Sequence, residues 1–89
     1  MSVNELFKAL SDENRRKMLD LLRNGELTVG EIADHFEMSK PGISQHLSIL
    51  KHAELVYAQK KGQYVYYSLN TTVFQDVMKW LIQFNQEKG

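Results

Sequence analysis

Apolar residues recur at helical spacing along most of this chain, with one stretch of strict alternation near the middle. The spacing of Leu6, Phe7 and Leu10 predicts a short first helix that breaks near Ser11-Asp12. Ser11 or Asp12 is placed to cap a second helix with Met18, Leu19, Leu21 and Leu22 on its apolar side. That helix ends at Asn24-Gly25, glycine being the residue that tolerates a left-handed C-terminal position. Thr28 with Glu31 three residues on fits a capping box and opens a third helix, buried through Ile32, Ala33 and Phe36. Ser39 caps a fourth helix, and Pro41 falls in its first turn, where a missing amide proton costs nothing.

Between Leu55 and Leu69 the period changes from helical to alternating. Leu55 to Lys60 and Gln63 to Leu69 are rich in valine and tyrosine, which predicts two strands with Lys61-Gly62 at the bend. A two-residue turn there sets Ala58 opposite Val65 and Val56 opposite Tyr67 on the inner side, with Tyr57, Tyr64 and Tyr66 outside. Asn70, Thr71 or Thr72 then caps a final helix reaching about Gln86. The expected fold is mainly α with a β-hairpin: a winged helix-turn-helix of about five helices and a two-stranded wing, homodimeric, with residues 1–89 as one DNA-binding domain.

The second helix of such a unit is shaped to enter the major groove, so its outward face decides the function. On a helical wheel Ile43, Leu47 and Leu50 fall within about 60° of one another and form a core stripe. Lys40, Pro41, Ser44 and Ser48 take the opposite flank, with Gln45 and Lys51 at its margins. Glutamine pairs bidentately with adenine, lysine with guanine and serine with either. Ser39, at the positive end of the helix, suits a phosphate. A plain solvated helix face has a similar composition, but this one follows a tight turn and precedes a basic hairpin. His46 falls on the core side and is expected as a satisfied histidine at the domain's edge. Lys60, Lys61 and Gln63 at the hairpin tip suit the DNA backbone or the minor groove. Arg15, Arg16 and Lys17 are weaker phosphate candidates, since pairing with Asp12, Glu13 or Asp20 on the same helix is their commoner fate.

Net charge is zero, which on its face argues against a nucleic-acid binder, but the charge is unevenly spread. Residues 1–37 carry five basic and eight acidic side chains, whereas residues 38–63 carry Lys40, Lys51, Lys60 and Lys61 against Glu54 alone. The positive field thus lies on the fourth helix and the hairpin, where a duplex would run. Cysteine is absent, which excludes disulfides, thiolate metal sites and cysteine nucleophiles. No apolar run approaches the length of a membrane span, and MSVNELFKAL lacks the features of a signal peptide, so a cytoplasmic protein is expected. No acid pair, nucleophile–base arrangement or glycine-rich phosphate loop suggests an enzyme.

The final helix points to self-association. Val73, Phe74, Val77, Met78, Trp80, Leu81, Ile82 and Phe84 span roughly 200° of its circumference, about twice what one core uses. The expected dimer interface comprises Phe74, Val77, Met78 and Leu81 with Leu6, Phe7 and Leu10 of the first helix beside them. Twofold symmetry would set two reading helices about one DNA turn apart, matching a palindrome.

FKALSDENRRKMLDLL, LTVGEIADHFEMSKPGISQHLSILKHAELV and KKGQYVYYSL together resemble the ArsR family of winged-helix repressors over residues 5 to about 82. The resemblance implies a homodimer that binds double-stranded operator DNA through the fourth helix and wing and blocks transcription, with Lys40, Pro41, Ser44 and Gln45 reading bases. LNTTVFQDVMKWL is most similar to a group of autorepressors within the family. That likeness implies release by capture on a membrane-bound partner protein.

Metal control, common in the family, is not expected. The stretch GEIADHF has no cysteine, and the final helix offers Asp76 and Glu87 but no histidine. Glu31 and His35, four residues apart, form only a weak couple. No metal and no cofactor are therefore assigned. A metal-responsive repressor and a winged-helix module that binds only proteins stand as the alternatives.

Overall fold

A computed structural model describes residues 2–86. Helix α1 (Val3–Leu10) is capped by the Ser2 hydroxyl, and α2 (Glu13–Leu21) by the Asp12 carboxylate, which accepts the Arg15 N–H at 3.1 Å. A 3-10 turn (Leu22–Asn24) extends α2, and Gly25 ends it at φ 131°, ψ 176°. That conformation is open to glycine alone, but it is extended rather than the left-handed helical geometry expected.

The capping box opening α3 (Val29–Ala33) is fully made: Glu31 N–H donates to Thr28 Oγ1 at 3.1 Å and Thr28 N–H donates to the Glu31 carboxylate at 2.9 Å. This helix is only five residues long. Phe36, expected on it, instead lies in the turn that follows, half-buried against the core.

Helix α4 (Lys40–His52) begins at Ser39, whose hydroxyl accepts the Gly42 N–H at 3.3 Å. Its C-terminus is closed by Leu55 N–H donating to Leu50 O at 3.0 Å and Glu54 N–H to Lys51 O at 2.9 Å. Glu54 takes the left-handed position of that closure, φ 61°, which glycine more often fills. Asn70, itself buried, donates from Nδ2 to Glu54 O at 2.9 Å while its N–H donates to Leu55 O at 2.9 Å. One side chain thus ties the entry of the wing to its exit and also caps α5 (Thr71–Gln83). The final helix stops three residues short of the expected Gln86, with Phe84 as its cap.

The wing differs from expectation in two ways. Strand β2 (Val56–Lys61) pairs with β3 (Tyr64–Leu69) in the register Val56↔Leu69, Ala58↔Tyr67, Lys60↔Val65. The turn is therefore Gly62-Gln63, not Lys61-Gly62, with Gly62 at φ 64°. Two-residue hairpin turns accept glycine at either central position, so the glycine alone does not set the register. The error is two residues, an even number, so every side chain keeps its expected face. A short strand β1 (Leu27–Thr28) also pairs with β3, giving a three-stranded antiparallel sheet in the order β1-β3-β2 instead of a two-stranded wing.

Leu6, Met18, Ile32, Ile43, Leu47, Leu50 and Leu55 are fully buried and draw α1, α2, α3, α4 and the base of the wing into one core. Each contributes roughly 1.5–3 kcal/mol of apolar burial. Among the described residues no helix is long and apolar enough to cross a membrane.

Candidate nucleic-acid interface

Burial along α4 follows the wheel. Ile43, Leu47 and Leu50 are wholly inaccessible, while Lys40, Pro41, Ser44, Gln45 and Ser48 are exposed. Ser39 is exposed too; its oxygen serves as the cap, which leaves its O–H free to donate to a phosphate.

The helix and the wing meet at a shallow cleft of about 310 Å³ lined by Thr28, Val29, Gly30, Lys40, Gln63, Tyr64 and Val65. Lys40 and Gln63 were drawn from different elements of the sequence, and the fold sets them on one rim. Ser48 is separated from that rim. It lines a different cleft with Glu5, Lys8, Ile49 and His52, between α1 and α4.

Lys60 and Lys61 are consecutive strand residues and so point to opposite faces of the wing. Lys60, opposite Val65, is exposed and has no acidic partner among the described residues. Lys61 is engaged: its Nζ lies 2.7 Å from the Glu26 carboxylate and 5.5 Å from the centre of the Tyr66 ring. The hairpin tip has no acid adjacent in sequence, yet β1 brings one beside it in space.

The basic run of α2 also behaves differently from expectation. Arg15 is only 8% exposed and bonds to the carbonyls of Ala9 (2.8 Å) and Lys8 (3.1 Å) and to His46 Nδ1 (3.1 Å). Arg16 donates to Leu10 O at 2.8 Å, and Lys17 donates to His35 O at 3.1 Å while lying 4.7 Å from the Phe36 ring centre. These cations close helix ends and turns by donating to backbone carbonyls, an outcome that charge spacing along one helix does not reveal. Asp12 is left to its capping role. The backbone N–H of Arg15 holds its carboxyl below the ordinary value, helped by the Arg15 charge and opposed by burial.

Helix α5 leaves much of its apolar surface uncovered. Phe74 and Val77 are half-buried against their own core, but Met78, Trp80, Leu81, Ile82 and Phe84 are exposed, Phe84 to 74%. Trp80 lies tilted against Phe7, ring centres 6.1 Å apart, and edge-on at 5.1 Å to Phe84, which joins α1 to this face. Of the α1 residues expected in a dimer interface, Phe7 is exposed and Leu10 half-buried. Leu6 is 2% exposed and lies in its own core, leaving nothing to offer a partner. Val3, Trp80, Ile82 and Phe84 are exposed on this face and were not among the expected interface residues, although the last three lay within the apolar arc.

Among the described residues no group of three or more histidine, aspartate, glutamate or cysteine side chains is placed to hold a metal. The Glu31–His35 couple does not form one helical face: α3 ends at Ala33, and the Glu31 carboxylate already accepts the Thr28 N–H. Glu87 lies outside the described residues.

A tight helix–turn–helix whose second helix shows a polar face beside a β wing defines a winged-helix DNA-binding protein. The sequence pattern of the bacterial regulatory protein arsR family matches residues 12–58, from the cap of α2 into β2. Over 82 residues the chain is 57% identical to the transcriptional repressor SdpR of Bacillus subtilis, covering 92% of this chain and 91% of that protein. It is 42% identical over 86 residues to the arsenic resistance transcriptional regulator ArsR1 of Pseudomonas putida, covering 92% of this chain and 67% of that one. A crystallised ArsR family transcriptional regulator superposes with a TM-score of 0.84 at 30% identity, covering 93% of this chain and 86% of that one. HlyU of Vibrio cholerae does so at 0.74 and 34%, covering 94% and 97%. The chain belongs to the arsR family of bacterial regulatory proteins. It is a DNA-binding transcriptional regulator and not an enzyme.

Proposed function

We propose that the chain represses transcription as a homodimer, each protomer laying α4 in the major groove of one half of a palindromic operator. The observation that carries this reading is the split of α4 into a fully buried apolar stripe and an exposed face of Lys40, Pro41, Ser44 and Gln45 beside the wing. In this reading Gln45 and Ser44 contact base edges, Lys40 reaches a guanine or a phosphate, and Ser39 and Lys60 hold the backbone. Gln63, on the rim shared with Lys40, follows the backbone between the grooves.

The bare face of α5 with Phe7 supplies the dimer contact, since five large apolar side chains exposed between Met78 and Phe84 are poorly tolerated in water. Similarity to a repressor over nearly the whole of both chains supports repression, and control of its own gene is the form the family resemblance implies. Work in the cytoplasm fits a bacterial regulator whose partner is DNA. We assign release to a protein partner rather than to a metal, because the described residues hold no ligand cluster and the chain has no cysteine. A membrane-bound partner that captures the dimer is the form the family resemblance implies.

The test is selection of duplexes from a random-sequence pool by the purified full chain, followed by affinity measurements with and without EDTA and micromolar zinc. Two inverted half-sites about one helical turn apart are expected, with affinity unchanged by either addition. Equal binding of all duplexes would refute the repressor reading. A tenfold loss of affinity on adding zinc would establish the metal-responsive alternative.

A further inference from the structure

We propose that Arg15 is a positioning residue for DNA reading, orienting α4 about its own axis through a hydrogen bond to His46. The inference rests on α4 being the reading helix.

Arg15 lies at the corner between α1 and α2, almost wholly buried, and each of its three guanidinium nitrogens has a different partner. Nε donates to Ala9 O at 2.8 Å, and Nη2 donates at 3.1 Å to Lys8 O, which also accepts from the Ser11 N–H and hydroxyl, so the guanidinium holds the last turn of α1. Nη1 faces His46 Nδ1 at 3.1 Å. A guanidinium only donates, so Nδ1 is the acceptor and the ring proton resides on Nε2. The Asp12 carboxylate, 3.9 Å from the same Nδ1, is too far for a hydrogen bond and has no proton there to accept.

This contact differs in kind from the rest of what holds α4. Ile43, Leu47 and Leu50 anchor the helix to the core, but apolar burial is non-directional and a stripe of aliphatic side chains permits rolling and sliding. The hydrogen bonds about Glu54 and Asn70 secure its C-terminal end. Between that end and the Ser39 cap, the His46 bond is directional, and His46 directly follows Ser44 and Gln45 in the chain. Base contacts demand donor–acceptor distances within a few tenths of an ångström, so a small roll of α4 spoils reading while leaving phosphate attraction intact.

Arg15 also closes α1, so its replacement threatens the fold. His46 is the better handle, and asparagine offers a carbonyl oxygen near the position of Nδ1. The experiment measures, by fluorescence anisotropy, the affinity of the full chain for a duplex it selects from a random pool and for a scrambled duplex of equal length. His46→Leu should lower the selected-to-scrambled ratio by about tenfold, the value of roughly one base contact, with scrambled affinity and salt slope unchanged. His46→Asn should keep most of the ratio. A preference that survives His46→Leu intact, or is lost equally in both variants, overturns the positioning role alone. A wild-type chain without preference overturns the reading of α4 and this proposal with it.

Discussion

The charge on the wing gives a sharp test, because two neighbouring lysines have different surroundings. Lys61 is held at 2.7 Å by Glu26, whereas Lys60 has no acidic partner among the described residues. Each phosphate neutralised by a cation adds about 0.9 to the slope of log affinity against log salt, which is roughly 3.5-fold in affinity between 50 and 200 mM salt. With two wings in the proposed dimer the change doubles to about 1.8 in slope, or roughly twelvefold over the same range. Lys60→Ala should show this full flattening. Lys61→Ala should show distinctly less, since its ammonium must leave Glu26 to meet a phosphate. Glu26→Gln should work in the opposite sense, steepening the slope and tightening binding to every sequence alike. Folding does not confuse the comparison: both partners of the Glu26–Lys61 pair are well exposed, and such pairs are worth about 0–1 kcal/mol. The assay is duplex binding at four or more salt concentrations for the three variants. If Lys61→Ala flattens the slope as much as Lys60→Ala and Glu26→Gln changes nothing, Glu26 does not restrain Lys61 and the reasoning fails.

Two other outcomes follow from the same structure. Leu81→Asp, in the middle of the bare α5 face, should convert the proposed dimer into folded monomers at micromolar concentration, read by sedimentation; a wild-type chain already monomeric there removes the dimer. Asp12→Ala should cost about 1 kcal/mol at neutral pH as a lost helix cap. Because the folded carboxyl titrates below its ordinary 3.8, that stabilisation is complete above the ordinary range and disappears as pH falls through the folded value. Urea melts of wild type and variant should therefore converge in acid, and a difference that stays constant down to pH 2 contradicts the assignment.

What could be read from the chain beforehand was what depends on near neighbours. The Thr28–Glu31 capping box, the Ser39 cap and the alternation between Val56 and Leu69 involve residues a few positions apart, and all are present in the fold. The stripe of Ile43, Leu47 and Leu50 was equally plain, because α4 is apolar on one side only and the opposite face has just one environment open to it. Contacts between distant segments were not legible. Glu26 reaches Lys61 across 35 positions, and Arg15 reaches His46 across 31. The strand β1 exists because β3 offers it an edge, with only two residues of its own to announce it.

Leu6 shows the same division within a single turn of helix. Leu6 and Phe7 are adjacent and both apolar, about 100° apart on the wheel, so α1 reads as one apolar arc. Which part of that arc meets the chain's own core depends on where α2, α4 and α5 lie, and the fold turns Leu6 inward and Phe7 toward Trp80. The reading helix obeys the same rule at higher stakes. Its polar face is local information, but its rotation against the rest of the domain depends on distant partners, the Arg15–His46 bond from the α1–α2 corner among them. On the proposed reading, substitutions at that corner change which DNA is bound without touching a residue that meets DNA, and specificity is to be sought in α2 as well as in α4.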